Sequence, residues 1–222
     1  MKLPATTSRR AMLISAVLVA VITAVSAVAF AASLGISSQK MTLLRPTELP
    51  SAACSAPGTQ TVATSKDSWI SQGSPSQNKG TDSALYVMTK SSSNERTLVG
   101  FSLPTLPSDC SVTGATLRLR NDAPSGTRTI QAYRIAATWA ENTVTWTNQP
   151  ATAGSAAESQ VPSGAGWQNW TVTTQVQAMY ASGAYGFLIR DKTENCTCDT
   201  QQKYLSRESG SSTDAELIVT WG

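Results

Sequence analysis

The chain contains no histidine. That removes Ser-His and Cys-His nucleophilic systems and every His-containing metal site at once. What remains for acid–base work is paired carboxylates. Asp191 and Glu194 are near in sequence, but they share a polar stretch with Lys192 and carry no sign of burial, so they read as solvated loop charges. No enzyme is expected. Binding chemistry is better represented. Trp167-Gln168-Asn169-Trp170 sets two indoles and two planar amides side by side. A sugar site needs that combination: aromatic faces against which sugar C–H groups stack, and planar polar groups that hydrogen-bond hydroxyls. In a regular strand one of the two tryptophans faces away from the core; in the competing reading both pack, one of them under a loop. Tyr133, Arg134, Lys90 and Arg190 are weaker additions to the same list.

A structural calcium ion needs several oxygens at one loop, and Asp67, Asn78 and Asp82, around Ser76 to Asp82, supply candidates. Their spacing is not that of an EF-hand, and turn-forming Asx side chains are the simpler account, so no cofactor is expected beyond that ion. The four cysteines, Cys54, Cys110, Cys196 and Cys198, read as disulfides in an exported chain. Three connectivities exist. Cys54 with Cys110 closes a loop of about 57 residues, and Cys196-Thr197-Cys198 then bridges itself as a small, reducible ring. A Cys-x-Cys pair without histidine lacks the usual zinc ligand set. Asn169-Trp170-Thr171 and Asn195-Cys196-Thr197 fit the glycosylation acceptor pattern; use of neither is expected.

The elements that must position these groups are short strands. From residue 58 onward, apolar or alternating runs are punctuated by turn residues: 59–64, 67–70, 84–89, 96–103, 115–120, 127–135, 167–172, 185–190, 203–207 and 216–221. Ala115 to Arg120 is the clearest half-buried strand, with Ala115, Leu117 and Leu119 inward. In Thr127 to Ile135 the apolar residues change face, which implies a bulge or burial on both sides. One helix interrupts the pattern: Thr173 or Thr174 caps it, Val176, Met179 and Tyr180 share a face, and Gly183 ends it. Ten strands and one short helix predict an all-β fold, a β-sandwich of jelly-roll type. Thr138 to Pro150, TWAENTVTWTNQP, reads as an architectural corner with an aromatic on each side of a turn.

Residues 1–10 carry three positive charges, and 11–32 form an uncharged run ending in Ala29-Phe30-Ala31. This reads as a cleaved export signal, or alternatively as a membrane anchor, with the body of the chain outside the cytoplasm. Ser8-Arg9-Arg10 partly matches a twin-arginine signal. Residues 33–57, with Pro46, Pro50 and Pro57, read as a linker or stalk, and 58–222 as the folded domain. The formal charge of +3 is due to the leader: without Lys2, Arg9 and Arg10, the 17 basic residues fall to 14, equal to the 14 acidic. A neutral body without a Lys/Arg cluster excludes a nucleic-acid partner, and any membrane contact would run through the N-terminal segment alone.

Several stretches together carry a resemblance. Glu95-Arg96-Thr97-Leu98-Val99-Gly100-Phe101-Ser102-Leu103-Pro104, Val112 to Leu119, TWAENTVTWTNQP, Tyr204 to Glu208 and Leu217 to Thr220 follow in an order and spacing similar to the DNRLRE domain family. The resemblance covers about Thr59 to Trp221. It implies a β-sandwich like those of carbohydrate-binding modules on secreted and surface proteins, often attached to polysaccharide lyases; no attached catalytic domain is expected here. The Cys196-Thr197-Cys198 insertion departs from the pattern. A secreted or cell-surface module that binds polysaccharide or a cell-envelope glycan is therefore expected. A structural matrix or appendage protein without a soluble ligand is the alternative.

Overall fold

A computed structural model describes residues 53–210 and 214–222. The leader (1–32) and the linker as far as residue 52 lie outside the described residues. The described residues form ten strands and one α-helix, as the alternation predicts, with a short 3-10 turn at Arg207–Ser209: β1 (Gly58–Ser71), β2 (Ala84–Thr89), β3 (Glu95–Phe101), β4 (Val112–Ala123), β5 (Thr129–Ile135), β6 (Thr152–Gln160), β7 (Gly166–Thr171), α1 (Thr173–Ser182), β8 (Phe187–Asp191), β9 (Thr200–Leu205) and β10 (Glu216–Trp221). The count conceals two differences. Residues 59–64 and 67–70 are one strand, continuous through a bulge at Thr64/Lys66. And β6 (TAGSAAESQ) has too few apolar residues to announce itself, because it pairs only with β5 and little of it is buried.

The expected jelly-roll sandwich of two separate sheets gives way to a closed ring. All strand pairs are antiparallel. Gly58–Ala63 of β1 pair with β10, and Thr64–Ser71 pair with β3. The order β1-β10-β4-β9-β2-β3 then returns to β1, a six-stranded barrel. From β3 the sheet continues through β8 and β5 to β6, and from β4 it extends to β7. The long, bent β1 closes the ring, since a bulge concentrates the twist that closure requires.

The main core, drawn from ring strands and from β5, β7, β8 and α1, includes Leu85, Val99, Leu117, Leu119, Phe187, Ile189, Trp170, Tyr204 and Leu217. A second cluster, Ile70, Leu98, Ile135, Trp139, Val144 and Leu188, sits on the other face of β1, β3, β5 and β8. These strands are buried on both sides, which explains their continuous apolar runs LVGF and FLI. Burying each large side chain contributes roughly 1.5–3 kcal/mol. In β5 both implied devices occur: the register against β6 shifts between Ala132 and Arg134, and Ile130 and Ile135 belong to different clusters.

Thr138–Pro150 is the cover of the second cluster. Trp139 is buried, and its indole donates to the carbonyl of Tyr185 at 2.7 Å. Asn78 donates to the carbonyls of Glu141 (2.8 Å) and Val144 (2.7 Å), pinning the corner from outside. Asn148 closes its exit by accepting from the Thr145 amide. The helix departs from expectation at its start: Val172 is the N-cap and no side chain caps it. The Thr173 hydroxyl instead accepts from the Ala115 amide. Val176 and Met179 are buried, whereas Tyr180 is exposed and donates to the Pro104 carbonyl. Cys54–Cys110 and Cys196–Cys198 are both bridged.

Candidate functional site

The four residues of β7 do not form one platform. Trp170 is fully buried and donates to the Ile130 carbonyl at 2.9 Å. Gln168 is also interior: it accepts from the Tyr204 hydroxyl at 2.7 Å and donates to the Ser159 carbonyl. Only Trp167 and Asn169 face outward, and the guanidinium of Arg118 lies 4.4 Å from the centre of the Trp167 ring. Gln168 and Trp170 are therefore removed from the candidate ligand set. The strand's outer side faces water and its inner side packs into the main core, so period-two alternation splits the motif.

Tyr133 and Arg134 also part company. Arg134 donates to the Ser182 hydroxyl at the end of α1 and lines a separate groove of small residues along β6. Lys90 forms an exposed pair with Asp199. Tyr133 instead joins Arg190 and two residues that no sequence motif singles out for binding, Arg96 and Gln149. Together with Leu188 and the Pro150–Thr152 segment leading into β6, they line a cleft of about 310 Å³. β3 supplies Arg96, β5 Tyr133, β8 Leu188 and Arg190, and the exit of the corner supplies Gln149. A cleft of that size suits a small ligand or a short stretch of a longer one.

The polar groups of the cleft are tied together. Arg96 donates through Nε and Nη2 to the two oxygens of Glu194, each at 2.7 Å, and through Nη1 to Gln149 Oε1 at 2.7 Å. Its guanidinium packs 4.4 Å from the centre of the Trp146 ring. A bidentate fork combined with stacking is the arrangement only arginine supplies. Arg190 is less engaged. It stacks 4.8 Å over Tyr133 and donates to the Tyr133 hydroxyl at 3.1 Å. Its Nη1 is 3.6 Å from Glu194 Oε2, and its Nε is buried without a partner. The two Nη groups carry four N–H donors, more than these contacts use, so this guanidinium has capacity left for a ligand. Two guanidinium groups against one carboxylate leave the site one positive charge.

Asp191 and Glu194 are not the solvated loop charges expected. Asp191 is buried and holds Arg128 bidentately; Glu194 is 13% exposed and bound by Arg96. Their oxygens are engaged by guanidinium groups, which suits them to structure rather than to acid–base turnover. The signal that points to this cleft is a cation inside an apolar strand, Arg96 in ERTLVGF and Arg190 in FLIRD. A charge in such a run must find a partner nearby.

The three proposed calcium ligands are likewise dispersed in role. Asn78 pins the corner, and Asp82 accepts from the Trp69 indole at 2.9 Å. Asp67 gathers with Glu141 and Glu208, all three offering an oxygen within 4.8 Å of the others. Asp67 accepts from the Arg207 amide at 2.9 Å, and Arg207 bridges to Glu141 and Glu208. Burial pushes the Asp67 carboxyl up to about 7, helped by the neighbouring Glu208 and Glu141. It is 1% exposed, so no substrate reaches it.

Residues 58–221 match the family model described as carbohydrate-binding module family 96, which spans every strand and the whole cleft. No curated protein matches the chain closely enough to count as a relative.

Proposed function

Because the chain belongs to carbohydrate-binding module family 96, we propose that it is a non-catalytic module binding polysaccharide in the cleft between Arg96, Tyr133, Gln149 and Arg190. The observation that carries this reading is Arg190, stacked on Tyr133 and lining an open cleft, with its Nη1 no nearer than 3.6 Å to Glu194. Guanidinium donors and the Gln149 amide match sugar hydroxyls, and the excess positive charge favours a sugar bearing a carboxylate. The two disulfides support an oxidising compartment, and with the basic, apolar leader they favour a secreted or surface-tethered protein.

Titration of the full chain with polygalacturonate and with neutral dextran, beside Arg190→Ala, Tyr133→Ala and Trp167→Ala, tests the site. Polygalacturonate should bind and dextran should bind less tightly. The first two variants should weaken binding at least tenfold with little change in melting temperature, and Trp167→Ala should not. Loss of binding in Trp167→Ala alone would move the site to the outer face of β7.

A further inference from the structure

We propose that Glu194 is a specificity-determining counter-charge that limits the cleft to one anionic group at a time. The proposal rests on the reading of the cleft as a glycan site. Glu194 does not line the cleft, yet it touches both cations that do: it binds Arg96 through two 2.7 Å bonds and lies 3.6 Å from Arg190.

Its position is fixed from several sides. Asn195 adopts a left-handed backbone (φ 61°) and exchanges two hydrogen bonds with buried Asn94: its amide donates to Asn94 Oδ1 at 2.8 Å, and its Oδ1 accepts from Asn94 Nδ2 at 2.7 Å. The Thr89 hydroxyl donates to the Thr193 carbonyl at 2.7 Å. Two residues beyond Glu194, the Cys196–Cys198 bridge closes the loop on itself. Arg96, the partner, is held by Gln149 and Trp146. A ligand anion cannot push this carboxylate aside without breaking those contacts.

The consequence is electrostatic. A single carboxylate docked on Arg190 meets one unbalanced positive charge. A second anionic group beside it meets the fixed carboxylate, and like charges a few ångströms apart near a protein surface repel strongly. The cleft therefore favours polymers with one acidic group per sugar and rejects densely sulfated ones.

The test compares wild type, Glu194→Gln and the double variant C196A/C198A, all as full chains, in binding to polygalacturonate and to dextran sulfate across a salt series. Wild type should prefer polygalacturonate. Glu194→Gln should gain about tenfold for dextran sulfate, gain less for polygalacturonate, and show a steeper salt dependence. C196A/C198A, which frees the loop while leaving every cleft side chain in place, should shift the preference in the same direction. It decides the matter if Glu194→Gln gives no cooperative melt. An unchanged ratio of the two affinities in folded variants overturns the role of Glu194 and leaves the cleft reading standing. If no protein binds either polymer, the cleft reading falls as well.

Discussion

At Asp67 burial and charge are opposed. Desolvation dominates the rise of its carboxyl to about 7, and the Arg207 amide only partly counters it. In the unfolded chain the group titrates near 4. Between those values the folded state holds a proton that the unfolded state has released. Stability from this group is therefore complete below about pH 4 and declines as pH climbs through 7. Each unit of that interval is worth about 1.4 kcal/mol, so the total is a few kcal/mol. Burial also raises the Glu95 carboxyl, which adds a slope of the same sign. Denaturant midpoints at pH 5 and pH 8 should show higher stability at pH 5. Asp67→Asn, which keeps an oxygen for the Arg207 amide, should flatten most of that difference. An unchanged slope in the variant would show that Asp67 ionises freely.

At the level of elements, the Thr138–Pro150 corner does for β1, β3, β5 and β8 what a second layer does in a sandwich: it seals their outer face. Trp139→Ala should cost about 3 to 5 kcal/mol, the range for removing a buried large aromatic, read as a drop in the unfolding midpoint. The same strands also depend on the entry to β8. Gly186 has φ 97°, and a Cβ there would lie 2.0 Å from the Val99 carbonyl oxygen. Gly186→Ala should cost at least about 1–3 kcal/mol from backbone strain alone, with the clash added. Because β8 carries Arg190 and β3 carries Arg96, the variant should also weaken ligand binding, unlike Trp167→Ala. A melt unchanged from wild type would mean that β8 can enter the sheet by another path.

For the whole molecule, the Cys54–Cys110 bridge holds the chain before β1 against the turn before β4. Ser55 reinforces it, donating to Asp109 from its amide at 2.8 Å. The two cysteines are 56 residues apart. Chain-entropy arguments allow such a bridge up to about 4 kcal/mol. Cys54→Ser with Cys110→Ser should thus lower the melting temperature by up to roughly 8–16 °C for a domain of this size. Binding at the cleft, built from β3, β5 and β8, should survive at temperatures where the variant is folded. A loss of binding without a loss of fold would tie the bridge to the site.

Local pattern determined much of this protein. Period-two alternation placed Leu117 and Leu119 inward, foretold the change of face in β5, and, for a regular strand, set Trp167 and Trp170 on opposite faces. Absence of histidine and the spacing of the cysteines limited the chemistry, since those are properties of residue type. Tertiary structure decided what depends on partners distant in sequence. That β1 bends from β10 to β3 and closes a barrel is a matter of pairing, and β6, nearly without apolar residues, exists only because β5 offers it a ladder. Which tryptophan of β7 is interior followed from which face packs against the main core. The cleft draws on positions 96, 133, 149 and 190, with Glu194 bound to both arginines from a loop. No spacing rule joins them, because charge pairing in a β fold is set by strand neighbours across the sheet and not by neighbours along the chain.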